Sequence, residues 1–390
     1  MHLTKEEERI YNGEEGWTNQ TCMKILVRLG ELFNAERLIP IDSAHISGVS
    51  YKTLGDAPTE FLAALADAGG KVKVRTTLNP SSLDTEYLAE KLPANLCQKQ
   101  FDILKQFEKM GVEKALTCTP YYLNRPKRGS HLAWAESSAV VYANSMLGAW
   151  TNREGGPSAL AAAIIGKTPN YGMHKSENRK PNVFVNVETH LQKETEFGAL
   201  GIRLGRILRD KIPLVQGLRN MSRDKLKQFG AALATSGMTN MFQIGTHVED
   251  MPSEKISVGA EDVKRTIEDL SISSASTPDL VFIGCPHCSM NEIRQVGHAL
   301  KGKKVRTGTE LWICTSRYIK ERAADYVRTI ESSGGHVLAG VCTVVSWTEM
   351  LGIKNIMTNS AKTAYYAPTL NKADAKLAPL EQCLQSAAKG

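Results

Sequence analysis

The feature that most constrains the fold is a regular alternation of short apolar runs with helix-length segments in the second half of the chain. From Val183 onward it predicts strand 183–187, helix 193–209, strand 213–216, helix 223–235 and strand 240–244, with approximate helix ends. Strands that are joined through helices run parallel, because only a long crossover returns the chain to the same edge of a sheet. The pattern therefore predicts a compact parallel βαβαβ unit.

A second alternation follows the polar stretch 249–279, which is typical of a linker although it contains a predicted helix at about 260–269. The expected strands are Leu280–Gly284, Leu311–Cys314 and Val337–Val341, and the expected helices lie at about 290–300, 318–332 and 371–390. The second half of the chain is thus expected to form two α/β units in succession.

The first part of the chain differs, because its predicted strands run directly into polar, turn-forming segments. The expected strands are Arg37–Ile41, Lys71–Arg75 and a buried strand ending at Cys118, and the first two lead into 42–50 and 76–80. Such loops converge at the carboxyl edge of a parallel sheet. Backbone N–H groups near Gly48 and the side chains of Ser50 and Asn79 suit a phosphate or carboxylate. His45, in the first loop, is either a hydrogen-bonded core residue or a ligand.

At 390 residues the chain exceeds what one hydrophobic core usually organises. We expect an N-terminal α/β domain at 1–182 that carries the polar loops, a small α/β domain at 183–258, and a C-terminal α/β domain at 259–390 that contains Cys285 and Cys342. The divisions fall where the pattern of strands and helices changes.

Composition narrows the class of partner. Lys and Arg total 48 against 41 Asp and Glu, and this excess of 7 positive charges is spread along the chain. A spread excess favours a small anionic ligand over nucleic acid, which would require basic residues clustered on one face. The sequence shows neither an apolar stretch near the ~18 residues of a membrane span nor a secretory leader, so we expect a cytoplasmic protein.

The segment Leu116–Gly156 concentrates polar groups without helical or strand periodicity. Glu136 and Ser137 lie there among aromatic and aliphatic residues that favour burial, where unpaired polar groups are costly. Such a polar cluster is typical of a ligand site. The alternative is an ordinary helix start, with Glu136 in solvent and Ser137 as a cap.

Three of the eight cysteines, Cys118, Cys285 and Cys342, stand at or just after the ends of predicted buried strands. Eight cysteines in a cytosolic chain of this size do not indicate a disulfide framework. Three thiols from separate loops suit an iron–sulfur cluster with one iron left open, or a structural zinc. Cys288 completes a C-x-x-C motif with Cys285, so it could form a redox pair, half a zinc site or a substitute ligand.

Two short glycine motifs do not indicate nucleotide binding. Gly166-Lys167-Thr168 resembles the end of a phosphate loop, but Ala161 stands where the first glycine is required. Gly198, Gly201 and Gly205 have the wrong spacing for a dinucleotide fingerprint, and their period favours close helix packing.

Seven long motifs together resemble one known family. They are SAHISGVSYKTLGDA, RTTLNP, LTCTPYYL, AWAESSAVVYANSMLGAWTNREGGPSAL, GCPH, VCTVV and NSAKTAYY. With these motifs the chain resembles the large, catalytic subunit of aconitase X from about residue 3 to residue 370. The resemblance implies an aconitase-like α/β fold, with three α/β units around a central cleft and without the swivelling β-rich domain of the fused relatives.

The resemblance also implies a cofactor and a partner. Thiolates matching Cys118, Cys285 and Cys342 would hold an iron–sulfur cluster, most simply [4Fe–4S]. The small swivelling domain would be a separate subunit, giving a heterodimer or a higher assembly. In the family the catalytic base is a serine of that subunit, so this chain alone would carry no catalytic base.

The activity implied is that of a hydro-lyase: (R)-5-phosphomevalonate would lose water to give trans-anhydromevalonate 5-phosphate, in the mevalonate pathway of isoprenoid biosynthesis. Other members dehydrate cis-3-hydroxy-L-proline, which stays an alternative, as does a non-enzymatic metal-binding scaffold or sensor. The matching substrate-binding residues are Gly48, Val49, Ser50, Asn79, Pro80, Glu136, Ser137 and Lys362.

Overall fold

The computed structural model of the protein describes residues 1–219, 221–275 and 277–389. Unit 1 comprises Met1–Pro80 and Pro93–Lys180, and unit 2 comprises Ser81–Leu92 and Pro181–Gly390. The chain therefore leaves unit 1 after Pro80, contributes a short segment to unit 2, returns at Pro93, and leaves unit 1 again after Lys180. The predicted linker includes Ser276, and the predicted last domain and helix end at Gly390; both residues lie outside the described part. The division into three domains stays a prediction.

Unit 1 combines helices with short strands. Its helices are α1 (Lys5–Asn12), α2 (Trp17–Leu32), α3 (Tyr51–Leu54), α4 (Asp56–Asp67), α5 (Ala94–Lys109), α6 (Ser137–Tyr142) and α7 (Gly156–Ile165). Its strands are β1 (Leu38–Pro40), β2 (Ser43–Ile46), β3 (Arg75–Leu78), β4 (Leu132–Trp134) and β5 (Lys167–Pro169). A parallel sheet has the order β3-β2-β4, and β1 pairs antiparallel with β5. The helix α7 is apolar and buried around nearly its whole circumference, so it lies inside the core of this unit.

The strand predictions for unit 1 were largely wrong. The predicted strand Arg37–Ile41 contributes only the antiparallel pair, while the parallel sheet uses Ser43–Ile46. The predicted strand at Lys71–Arg75 begins instead at Arg75, and no strand ends at Cys118. The cause is that β2 and β3 bury hydrogen-bonded polar side chains, so the strands lack the apolar alternation that marks most strands.

Unit 2 has the alternating character that the sequence predicts. Its strands are β6 (Val183–Val187), β7 (Pro213–Gln216), β8 (Gln243–Ile244), β9 (Lys255–Val258), β10 (Leu280–Ile283), β11 (Lys304–Val305), β12 (Glu310–Thr315), β13 (His336–Ala339), β14 (Asn355–Thr358), β15 (Asp374–Leu377) and β16 (Ala388–Lys389). Its helices are α8 (Glu194–Leu208), α9 (Arg223–Ser236), α10 (Ala260–Asp269), α11 (Met290–Leu300), α12 (Arg317–Arg322), α13 (Ala324–Ser332), α14 (Ala361–Tyr366) and α15 (Leu380–Ala387). None of the helices described in either unit is both long and apolar enough to cross a bilayer.

Two parallel sheets organise unit 2. One has the order β8-β7-β6-β9 and the other β13-β12-β10-β14-β15. The predicted βαβαβ unit is confirmed, and so are the three later strands and the helix at 290–300. The sequence analysis missed β9, β14 and β15, joined α12 and α13 into one helix, and placed a helix over 371–390 where β15 precedes the shorter α15.

The glycine motifs have structural explanations. In unit 2 a Cβ atom on Gly201 would lie 2.5 Å from the carbonyl oxygen of Phe229, and one on Gly205 would lie 2.7 Å from that of Leu233. The helices α8 and α9 therefore approach as closely as glycine permits, as the spacing predicted. In unit 1, Gly166 ends α7 in the left-handed conformation with φ 79° and leads into β5, so no phosphate loop forms.

Candidate substrate-binding and cluster-binding residues

The first candidate loop, Gly48–Ser50, leaves β2 in unit 1. Gly48 has φ 75°, which favours glycine, and Val49 and Ser50 are buried. A buried glutamine of α5 supports the loop: Gln100 Nε2 donates to the carbonyl oxygen of Val49 at 2.8 Å, and its Oε1 accepts the N–H of Tyr51 at 3.0 Å. The loop backbone is therefore held in one conformation before any ligand arrives.

The second candidate loop and the start of α6 meet in unit 1. Asn79 follows β3, and its Nδ2 donates to Oε2 of Glu136 at 2.8 Å. Glu136 is the N-cap of α6, and its Oε1 accepts the N–H and the hydroxyl of Ser138 at 3.3 and 2.9 Å. Ser137 is the buried first residue of the same helix, and Pro80 is buried beside Asn79. The structure thus brings Asn79 and Glu136, two residues predicted to bind substrate, into direct contact.

His45 lies on β2 in unit 1 and is fully buried. Its Nδ1 lies 2.7 Å from the hydroxyl of Thr77, its direct neighbour across the parallel pair, and its Nε2 lies 3.4 Å from Oδ1 of Asn79. Burial lowers the pKa of His45 to about 4, although Glu136 and Asn79 act in the opposite direction. The ring is therefore neutral at physiological pH.

Cys118 lies in a bend of unit 1 and not at the end of a strand. Cys118 is 8% exposed and lies two residues after Leu116, whose φ of 40° is uncommon for leucine. The hydroxyl of Thr117 lies 3.0 Å from that of Thr119 and accepts its N–H at 3.1 Å. These bonds enclose the cysteine between them and orient the turn.

The other two candidate cysteines lie at one edge of the five-stranded sheet in unit 2. Cys285 follows β10 and is buried, and Cys342 follows β13 and is half-buried. The strand between them, β12, carries Cys314 near its carboxyl end. Burial and the neighbouring thiols of Cys342 and Cys288 raise the pKa of Cys314 well above its usual value. This edge therefore combines an inert buried thiol with two cysteines on flanking loops.

The thiols of this edge suit iron–sulfur chemistry, because thiolate is the usual ligand of such clusters and both loops leave the sheet at the same edge. Across the described residues of the chain, no three His, Cys, Asp or Glu side chains form a group that could hold a metal ion. Unit 2 by itself therefore supplies two cysteines of the predicted set, and the role of Cys118 stays a prediction.

Two structures in unit 2 hold the cysteine loops. Gly284 has φ 119°, and a Cβ atom there would lie 2.3 Å from the carbonyl oxygen of Cys314. Beyond the cis peptide bond Cys285–Pro286, the buried Lys227 donates to the carbonyl oxygen of His287 at 3.0 Å and forms an ion pair with Glu292 of α11. The backbone conformation and a buried charge pair thus determine where Cys285 lies.

Lys362 is half-buried on α14 of unit 2. The helix begins against α8, where a Cβ atom on Gly198 would lie 2.9 Å from the Cβ atom of Ala361. On either side of Lys362, Asn359 Oδ1 and Thr363 Oγ1 are buried and have no hydrogen-bond partner among the described residues. Because unpaired buried polar atoms are rare, their position beside a lysine favours a ligand site.

Three residues that support the candidate site were missed by the sequence analysis: Thr77, Gln100 and Lys227. Gln100 had a usable signal, since it lies on the apolar face of α5 that includes Cys97 and Leu104. A polar residue on a buried helix face requires a partner. Thr77 and Lys227 were not recognised, because the sequence analysis used no local pattern that marks either residue as buried.

Comparison with known proteins now identifies the class. Three family models match the chain: "Aconitase X first domain" at residues 1–177, "Aconitase X second domain" at 181–268 and "Aconitase X third domain" at 278–389. The chain therefore belongs to the aconitase X family, and the resemblance inferred from its motifs is confirmed.

Individual relatives are similar over the whole chain. The phosphomevalonate dehydratase large subunit of Methanocaldococcus jannaschii is 45% identical, over 99% of this chain and 100% of that protein. The cis-3-hydroxy-L-proline dehydratase of Pseudomonas aeruginosa is 33% identical, over 98% of this chain and 69% of that protein. The crystal structure of Thermococcus kodakaraensis aconitase X in its holo-form matches with a TM-score of 0.92 at 40% identity, covering 99% of this chain and 100% of that one.

These similarities confirm the expected aconitase-like α/β fold. The Methanocaldococcus and Pseudomonas relatives are named dehydratases, which is consistent with a hydro-lyase. Membership of the family is consistent with an iron–sulfur cofactor. The words "large subunit" in the name of the Methanocaldococcus protein imply that it works with a small subunit.

Proposed function

We propose that this chain is the large subunit of an iron–sulfur hydro-lyase that converts (R)-5-phosphomevalonate into trans-anhydromevalonate 5-phosphate. The observation that carries the proposal is the contact between Asn79 and Glu136, two predicted substrate ligands from separate loops of unit 1. Similarity of 45% and 43% to the phosphomevalonate dehydratase large subunits of Methanocaldococcus jannaschii and Methanosarcina mazei, over 99% and 100% of this chain, supports the choice of substrate.

In this proposal the residues of unit 1 bind and orient the substrate. The loop Gly48–Ser50, whose backbone Gln100 holds, binds anionic oxygens through N–H groups and the Ser50 side chain. Asn79 and Pro80 line the same site. Glu136 and Ser137 contact the polar end of the substrate, because the carboxylate at the start of α6 is buried and already oriented.

Lys362 supplies positive charge for the substrate's anionic groups in this proposal. An ammonium group is a point charge that forms strong hydrogen bonds to carboxylate and phosphate oxygens. Support comes from the buried, unpartnered Asn359 Oδ1 and Thr363 Oγ1 beside it among the described residues.

The proposed ligands of the cluster are the thiolates of Cys118, Cys285 and Cys342, and the proposed cluster is [4Fe–4S]. When bound, such a cluster supplies a Lewis-acidic iron that makes the substrate's hydroxyl a better leaving group. The support is the chemistry of the donors: thiolates are the usual ligands of iron–sulfur clusters, and two of the three lie on loops that leave one sheet edge. Cys288 is not proposed as a ligand.

The proposed partner is a small subunit with the swivelling β-rich domain and a serine base. A serine hydroxyl is a very weak base at neutral pH, so it must be activated within a site that excludes water. The purified large chain should therefore take up a cluster but show no turnover. Adding the small chain should restore dehydration with a saturable dependence on its concentration. Full activity from this chain alone would contradict the two-chain proposal.

The substrate is tested by incubating the anaerobically reconstituted complex with (R)-5-phosphomevalonate and, separately, with cis-3-hydroxy-L-proline. Conversion of the first compound alone supports the proposal, and conversion of the second alone contradicts it. The second compound stays the runner-up because a dehydratase of that compound is 33% identical to this chain. Uptake of zinc without cluster absorption would instead favour a metal-binding scaffold.

A further inference from the structure

Four side chains form a hydrogen-bonded row across the parallel sheet of unit 1. Thr77 Oγ1 lies 2.7 Å from His45 Nδ1, His45 Nε2 lies 3.4 Å from Asn79 Oδ1, and Asn79 Nδ2 lies 2.8 Å from Glu136 Oε2. Three of the four are buried, and Asn79 is half-buried. The substrate-binding and cluster-binding residues predicted from the sequence do not include His45 or Thr77, and the comparisons give neither residue a role.

The carboxylate at one end, Glu136, determines the direction of every bond in this row of side chains. A carboxylate can only accept, so Glu136 requires the amide nitrogen of Asn79 to face it. The amide oxygen of Asn79 then faces His45, and only a protonated Nε2 can donate to it. With its proton on Nε2, the neutral ring has an acceptor at Nδ1, so the hydroxyl of Thr77 donates.

We propose that His45 is a positioning residue: its Nε2–H holds the Asn79 amide so that Nδ2–H points at Glu136, and the Thr77 hydroxyl donates to the unprotonated Nδ1 of this tautomer. The histidine does not contact the substrate in this scheme. It prevents the Asn79 amide from turning over, which would place the amide oxygen against the carboxylate. The inference rests on the proposed function only in so far as Asn79 and Glu136 bind substrate.

Two features of the structure support this role over a titrating or catalytic one. The ring is 0% exposed and lies opposite Thr77 in the β2–β3 pair, so it cannot turn over without losing its bond to the Thr77 hydroxyl. Burial lowers its pKa to about 4, so it keeps the neutral form that the scheme requires throughout the pH range of an ordinary assay.

The test compares substitutions that keep or remove the donor. Glutamine can present an amide N–H near the position of Nε2, whereas methionine has similar length and no donor. In the reconstituted two-chain enzyme, His45→Met should raise KM about tenfold with kcat changed less than about threefold, because a buried acceptor loses its partner. His45→Gln should restore KM to within about threefold. His174→Met, at another buried histidine of unit 1, should leave KM unchanged.

A second measurement is independent of turnover. With ¹⁵N-labelled histidine in this chain, the pair of resonances that disappears in His45→Gln should show a protonated Nε2 and a bare Nδ1. Thr77→Val removes the donor to Nδ1, so the proton should stay on Nε2 while the Nδ1 resonance shifts and KM rises about threefold. A proton on Nδ1 in the wild type, or an unchanged KM in folded His45→Met, overturns the inference. A wild-type complex that converts neither substrate overturns the proposed function instead, while the resonances still decide the tautomer.

Discussion

The candidate residues of the two units are held in different ways. In unit 1, Asn79, Glu136 and His45 are oriented by bonds between side chains that are far apart in sequence. In unit 2, Cys285 and Cys342 are placed by the backbone, through the turn at Gly284 and the pairing of Ser81 with Val341. The arrangement in unit 1 depends on which side chains are present. The arrangement in unit 2 depends mainly on which backbone conformations are possible, and the buried pair Lys227–Glu292 also holds the loop of Cys285.

This difference shows which features of a site resist substitution. A hydrogen-bonded side chain can be exchanged for another with the same donor at small cost, because the sheet underneath does not change. A side chain at a glycine that has an unusual conformation and also touches a neighbouring backbone is costly, because both the conformation and the contact must change. Unit 1 should therefore respond to substitution in graded steps, and the cysteine edge of unit 2 should respond in an all-or-none manner.

The largest expected effect is at the proposed cluster ligands. Cys118→Ser, Cys285→Ser and Cys342→Ser should each lose cluster iron, because a hydroxyl is a poor replacement for thiolate on iron. Cys288→Ser is the matched control in the same C-x-x-C motif and should retain it. The measurement is iron, sulfide and absorption after anaerobic reconstitution. Loss of the cluster from Cys288→Ser, together with full iron in Cys118→Ser, would show that the ligand assignment is wrong.

The next effect concerns the backbone before Cys285. Gly284→Ala should destabilise unit 2 by roughly 3 kcal/mol or more, because its Cβ atom would lie 2.3 Å from the Cys314 oxygen at a φ of 119°. Gly302→Ala is the matched control, with φ 74° and no atom within 4 Å, and should cost about 1–2 kcal/mol. Denaturant unfolding followed by fluorescence of Trp312 measures both. Equal costs would remove the distinction between the two regions.

The pH dependence of stability should also distinguish unit 1, because the buried His45 lies there. Between pH 6.5 and about 4 the unfolded chain binds a proton that buried His45 does not, so acidification through this range reduces stability, and the contribution is complete above pH 6.5. The loss should reach about 3 kcal/mol near pH 4. His45→Gln should lack this component, as read from unfolding monitored at Trp134. An identical pH slope in the variant would contradict the assignment of a low pKa to His45.

Lys362→Ala should weaken substrate binding by about 1.5–3 kcal/mol, the range for a hydrogen bond to a charged group, and should leave the cluster content unchanged. Lys354→Ala, at an exposed lysine of the same unit, is the matched control and should not change KM. Steady-state kinetics of the two-chain enzyme measure both variants. Unchanged kinetics for Lys362→Ala would exclude this lysine from the site.

The smallest effect is expected at Gln100. Gln100→Leu should raise KM about fivefold, equivalent to about 1 kcal/mol, because the loop Gly48–Ser50 loses its two bonds to α5. The exposed side chain of Gln98 in the same helix bonds to Asp102, one turn away, and to no other residue that the structure describes, so Gln98→Leu should have no such effect. If both variants behave alike, the loop does not depend on Gln100.

The two regions also differ in how far the sequence predicts them. The strands β6, β7, β10 and β12 were found because buried parallel strands are continuous apolar runs. The strands β2 and β3 were misplaced because His45, Thr76 and Thr77 bury polar groups within them. The sequence thus predicts strands whose side chains enter an apolar core, and it fails where a strand carries a hydrogen-bonded network.

The same limit applies to the site. Cys285 and Cys342 could be placed from sequence, since the end of an apolar strand marks the edge of a sheet. The contact between Asn79 and Glu136 could not, because these residues are 57 positions apart and neither has a local signal of the other. Motif resemblance named both residues, but only the fold shows that they touch.

The excursion of the chain into unit 2 at Ser81–Leu92 has a consequence for the order of folding. Ser81 donates its N–H to Gly340 and accepts that of Cys342, at 2.9 and 3.1 Å, so a segment made early in synthesis completes a turn that is made late. A fragment starting at Pro181 would lack this contact, whereas a circularly permuted chain starting at Ser81 would retain it. During translation Ser81 is made long before its partners Gly340 and Cys342. We therefore expect the Cys342 turn to be among the last parts of the chain to fold.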